Sequence, residues 1–127
     1  MHPQPLICVR DVEASSLFYE RLLGGRSGHA GPEYGRVFCD DRLVLQLHAF
    51  EVDHHHGPIA DLAQPLGNGF LIWFEAEDFE AAMVRVAALD PGIVMPRHRN
   101  PNAMHWEIWL RDPDGYVVVI ASPDGTA

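Results

Sequence analysis

The residues with the most chemistry in them stand close together near the end of the chain, in His105-Trp106-Glu107-Ile108-Trp109. On a β-strand, side chains two apart share a face. If Trp109 faces inward, Glu107 and His105 do too, and an imidazole and a carboxylate then lie beside an indole ring. Such a set can attract a cation through ring quadrupole and carboxylate together. It can also exchange protons, which would require apolar surroundings to raise the carboxyl pKa. Alternation admits the opposite assignment as well, with Trp106, Ile108 and Leu110 as core and Glu107 on a solvated face. Elsewhere, Trp73 offers a second large ring, Gln46 and His48 share one face of another strand, and His54, His55 and His56 form a run. Alternate histidines of an extended chain can meet one ion, so His54 and His56 with His48 make a conceivable zinc or iron set; a short His tract is otherwise only a compositional signal.

Composition narrows what these groups can serve. The 127 residues suit one domain, spanning 1–127, with a core of its own. A formal net charge of −9 opposes nucleic-acid binding and favours a cationic over an anionic ligand. No apolar run approaches the roughly 20 residues of a membrane span, and Met1-His2-Pro3-Gln4-Pro5 lacks a basic segment followed by an apolar one. A cytoplasmic protein with no membrane or nucleic-acid partner is expected. Cys8 and Cys39 are expected as buried free thiols, since no paired-cysteine motif is present.

Certain elements must carry these residues. Gln4 to Val9 reads as a strand, and Asp11 as the N-cap of a helix whose apolar face is Val12, Ser16, Tyr19 and Leu23, stopped by Gly24-Gly25. A glycine-rich loop follows, then strands at Val37 to Cys39 and Arg42 to Phe50, joined at Asp40-Asp41. After a Gly/Pro/His loop, Phe70 to Glu75 is a strand and Asp78 caps a second helix with a stripe of Phe79, Ala82, Met83, Val86 and Leu89. Asp90-Pro91-Gly92 ends it; Ile93 to Met95 is a short strand and Pro96 to Met104 a polar loop. The chain closes on a hairpin, Trp106 to Ser122, turned by Asp112-Pro113-Asp114-Gly115.

The same order of elements therefore occurs twice, in modules of roughly 1–52 and 68–124, with cap residues Asp11 and Asp78 about half a chain apart. The expected fold is α+β: two βαβββ modules whose curved sheets pair into a half-barrel around a concave cavity. On this order, on Val9-Arg-Asp-Val-Glu-Ala-Ser-Ser-Leu-Phe-Tyr-Glu-Arg-Leu-Leu-Gly24 and on Arg111-Asp-Pro-Asp-Gly-Tyr116, the chain resembles the vicinal oxygen chelate superfamily. That superfamily includes glyoxalase I, bleomycin-resistance and fosfomycin-resistance proteins and extradiol dioxygenases.

The resemblance implies four inward positions that hold a metal in metal-dependent members; here they are Gln4, Gln46, Leu71 and Val119. Leucine and valine cannot ligate a cation, and two neutral amides suit a divalent metal poorly. The resemblance thus implies a metal-free, bleomycin-resistance-type protein, without cofactor. Its cavity would be lined by Trp73, Trp109, Glu107, Gln46 and His48, holding a small planar or cationic molecule, and the protein would be a homodimer. Two alternatives follow. One is a lyase, isomerase or dioxygenase whose divalent metal has moved to His48, His105 and Glu107, a facial two-histidine, one-carboxylate set if their strands adjoin. The other is metal-free acid–base catalysis by Glu107 with His105.

Overall fold

The computed structural model describes residues 2–29, 31–50 and 60–126, so the His54–His56 run lies outside the described residues. The chain divides into two compact units, Met1–Pro65 and Leu66–Ala127.

In the first unit, β1 (Leu6–Val9) leads into α1 (Val12–Leu23), followed by β2 (Arg26–His29), β3 (Tyr34–Cys39) and β4 (Arg42–Ala49). The sheet order is β1-β4-β3-β2, with β1 parallel to β4 and the other pairs antiparallel. Asp11 caps α1 as its sequence position suggests, its carboxylate accepting from the Ala14 amide at 3.0 Å. Gly24 ends the helix in the left-handed region at φ 67°. The next residue must also be glycine for a different reason: a Cβ on Gly25 would stand 2.2 Å from the Phe38 carbonyl oxygen. The buried face of α1 is Val12, Ser15, Ser16, Tyr19 and Leu22, so Leu22 rather than Leu23 completes the stripe. It meets Val37, Leu45 and Leu47 in a fully buried core.

Strand β2 stands where a glycine-rich loop was expected. Its residues carry no apolar alternation, and backbone pairing with β3, from Arg26 opposite Phe38 to His29 opposite Gly35, makes the strand. The Glu20 carboxylate anchors it from the helix, accepting from the Ser27 hydroxyl at 2.6 Å and the Ser27 amide at 3.3 Å. Cys8 is buried, which pushes its thiol pKa up, whereas Cys39 is only half-buried, short of the expectation; neither forms a disulfide.

The second unit repeats the plan: β5 (Leu71–Glu75), α2 (Phe79–Leu89), β6 (Ile93–Asn100), β7 (His105–Arg111) and β8 (Val117–Ala121), in the order β5-β8-β7-β6. Asp78 caps α2 through the Ala81 amide at 3.0 Å. At the other end Asp90 takes the left-handed position at φ 48°. In the hairpin turn the Asp112 carboxylate accepts from the amides of Asp114 and Tyr116, each at 2.9 Å, while Gly115 takes φ 92°. Ile72, Ala82, Val86, Leu110, Val118 and Ile120 form the core under α2.

The main departure is β6, which runs through most of the expected polar loop. It is an edge strand with register shifts between Ile93 and Met95 and between Met95 and His98. These bulges let Pro96, which cannot donate to a ladder, sit within a strand.

Candidate functional site

Strand β8 lies between β5 and β7, and its register aligns side chains into rows on one face of the second sheet. Trp73, Val119, Trp109 and Met95 are successive cross-strand partners, and the next row is Glu75, Ala121, Glu107 and His98. Cross-strand partners share a face, so Trp73 and Trp109 flank Val119 at about 9–10 Å, two strand spacings. Val119 is fully buried while Trp73 is 45% exposed, so the row is an indole-bearing surface patch closed over its aliphatic middle. The Trp73 ring also lies 6.0 Å from the His105 ring, tilted by 49°. The two assignments left open by alternation are both partly realised: Ile108 and Leu110 on one face of β7 are buried, and so are His105 and Glu107 on the other.

Glu107 is 2% exposed, a position in which an unpartnered carboxylate would be costly. Its oxygens are instead saturated. Oε1 accepts from His98 Nε2 and Trp109 Nε1, each at 2.9 Å, and Oε2 accepts from His105 Nε2 at 2.6 Å and Asn100 Nδ2 at 3.2 Å. A carboxylate has about four lone-pair sites, and four donors fill them. Burial by itself would raise the Glu107 pKa; the donors from His105, Trp109, Asn100 and His98 outweigh it and hold the carboxyl down at about 2. The raised pKa that acid–base work by Glu107 requires is thus the opposite of the shift found.

His105 is bonded on both sides, with Nδ1 3.0 Å from Asp124 Oδ1. Burial works against its charged form, but the bonds to Glu107 and Asp124 more than offset this, and its pKa is raised.

His98, Asn100 and Asp124 join this network without any mark in the sequence pattern. The first two fall in the expected loop, and Asp124 follows the last strand. The sequence signal nearest to them is the apolar run Ile93 to Met95, at the start of the strand that carries His98 and Asn100. His98 is itself steadied by Nδ1, 2.8 Å from the Pro96 carbonyl oxygen inside the bulge.

In the first unit, Gln46 and His48 lie on one face of β4, with Leu6 and Cys8 as partners on β1. The Tyr34 hydroxyl donates to Gln46 Oε1 at 2.7 Å, and Gln46 Nε2 donates to the Gln4 carbonyl oxygen at 2.9 Å. The Tyr34 and His48 rings are 6.3 Å apart, and His48 Nδ1 lies 2.7 Å from the Ala49 carbonyl oxygen. The four positions at which the family holds a metal therefore fit one poorly: the Gln46 amide is occupied at both ends, and Leu71 and Val119 bring no donor atom. Among the described residues no three His, Cys, Asp or Glu side chains form a group that could hold a metal ion.

Solved structures share this architecture. A lactoylglutathione lyase from Agrobacterium tumefaciens superposes with a TM-score of 0.71 at 22% identity, covering 96% of this chain and 92% of that one. The fosfomycin resistance protein FosX from Mesorhizobium loti gives 0.65 at 18% identity over 96% and 90%. TioX from Micromonospora sp. ML1 gives 0.69 at 14% identity over 96% and 98%. At these identities the likeness is one of fold. No curated protein matches the sequence. A family description matches residues 2–120, nearly the whole chain, and with the duplicated βαβββ order it places the protein in the Glyoxalase/Bleomycin resistance protein/Dioxygenase superfamily.

Proposed function

We propose that the protein binds a small planar or cationic molecule, without a metal, against the indoles of Trp73 and Trp109. The row Trp73–Val119–Trp109 carries this reading. A flat ligand would stack on the exposed face of the Trp73 ring, beside Trp109, since Val119 between them is fully buried. Half-exposed tryptophan is also unusual unless the ring has something to meet, because burial of its large surface is so favourable. Quadrupoles of the two indoles and the net charge of −9 favour a positive group on the ligand. In the bleomycin-resistance manner, the protein would sequester its ligand and leave it chemically unchanged.

Quenching of tryptophan fluorescence by planar cationic, neutral and anionic aromatics tests this. Saturable quenching is expected for the first two classes, and Trp109→Ala should weaken it by roughly 1–3 kcal/mol, the usual cost of losing one aromatic contact. Linear quenching throughout, or equal affinity for anions, would return both tryptophans to a merely structural role.

A further inference from the structure

Glu107 is a carboxylate beside the aromatic patch whose oxygens are all committed. Both are filled by donors from its own unit, and the side chain is 3% exposed, so no lone pair remains for a ligand. One of those donors is the Trp109 indole Nε1–H, at 2.9 Å. Indole χ2 is a broad torsion that packing alone fixes poorly, and a bond from the ring edge to a buried anion fixes it well. The anion is itself held by His98 and Asn100, two residues of the bulged edge strand β6, and by His105 of its own strand. The indole wall is thus braced from two strands through one carboxylate.

We propose that Glu107 is a positioning residue, which sets the Trp109 ring and does not meet the ligand's charge, so that the indole patch selects for flatness and its selectivity between charged and neutral rings does not pass through Glu107. This rests on the ligand-binding reading above and assigns Glu107 a role within it. A glutamine offers a single oxygen to four donors, and an aspartate withdraws its oxygens by about 1.5 Å, one carbon–carbon bond. Either change therefore frees the indole, while only the aspartate keeps the charge.

The test uses N-methylacridinium and, at pH 8, neutral acridine as a matched pair of flat probes. Glu107→Gln and Glu107→Asp are each expected to weaken both probes by the same factor, about fivefold to tenfold for one lost hydrogen bond. In a Trp109→Phe background, which has no indole N–H, neither change should matter further. A charge contact instead predicts that Gln costs the cation about tenfold more than the neutral probe, that Asp spares it, and that both effects survive in the Trp109→Phe background; that pattern overturns the proposal. A measurement on the unmodified protein needs neither variant folding nor ligand. The Trp109 indole proton should exchange slowly in a ¹⁵N–¹H correlation spectrum, and exchange as fast as that of an exposed indole also overturns it. If neither probe binds saturably, the binding reading falls, and the positioning of Trp109 stands or falls on that exchange rate alone.

Discussion

At the scale of single residues, the Glu107–His105 pair makes stability depend on pH in two directions. The Glu107 carboxyl is held at about 2 against an ordinary value of 4.5. Its contribution is therefore present above pH 4.5 and is lost as the pH falls toward 2. At roughly 1.4 kcal/mol per pKa unit, that contribution is on the order of 3 kcal/mol. His105 is shifted upward from 6.5, so what it adds is complete below that value and is lost as the pH rises through the raised one. The pair together stabilises most between about pH 4.5 and 6.5. Urea midpoints across pH 2–9 should show the largest gap between the parent and Glu107→Gln in that window, shrinking toward pH 2 as Glu107 protonates and narrowing without closing on the alkaline side as His105 loses its proton; a gap independent of pH would mean that the ionised pair contributes nothing. The common face of His105, Glu107 and Trp109 was readable because strand parity holds along β7. The partners His98 and Asn100 were not: from Met95 opposite Trp109 to His98 opposite Glu107 is three residues on one strand and two on the other, and a bulge breaks the count on which any such reading relies.

At the scale of elements, what was legible was local chemistry and what was hidden was pairing. Both aspartate caps and the Asp112–Gly115 turn were readable, because a short carboxylate or a glycine acts on the amides next to it. Strand β2 and most of β6 owe their existence to hydrogen bonds with β3 and β7, and nothing in their own residues alternates. Gly25 shows how tightly one such element is seated, since any side chain there runs into the Phe38 backbone on β3. Gly25→Ala is expected to destabilise the protein by roughly 1–3 kcal/mol through overpacking, read as a lowered denaturation midpoint at unchanged slope. At the end of α2, Asp90 is a non-glycine residue in the left-handed region, and Asp90→Gly should raise stability by about 0.5–1 kcal/mol, read as a higher midpoint. An unchanged midpoint for Gly25→Ala would show that β3 yields at little cost.

At the scale of the whole molecule, the duplication was legible as two repeats of one element order, and the sheets confirm it strand for strand. Less legible was how much apolar surface each sheet leaves at its edges. Leu71 on β5 and Ile93 and Val94 on β6, all outside the Trp73–Trp109 row, are exposed large apolar residues. Exposed edges of this kind are covered or paired in stable proteins, and a two-fold dimer is the expected means. Sedimentation at tens of micromolar, a concentration at which most stable dimers persist, should give twice the 14.2 kDa chain mass, and a monomer there would refute it.

The place of β8 in its sheet has a consequence for how the chain is made. Among the described residues β5 pairs with β8 alone, so the strand bearing Trp73 waits for its neighbour until residues 117–121 have left the ribosome. In the first unit the corresponding strand, β4, is finished by residue 49. Synthesis at about 5–20 residues per second then separates the two events by several seconds. During that interval the first unit has all its strands, while the indole wall of the second stands open, which is when a chaperone that recognises aromatic strands would find it.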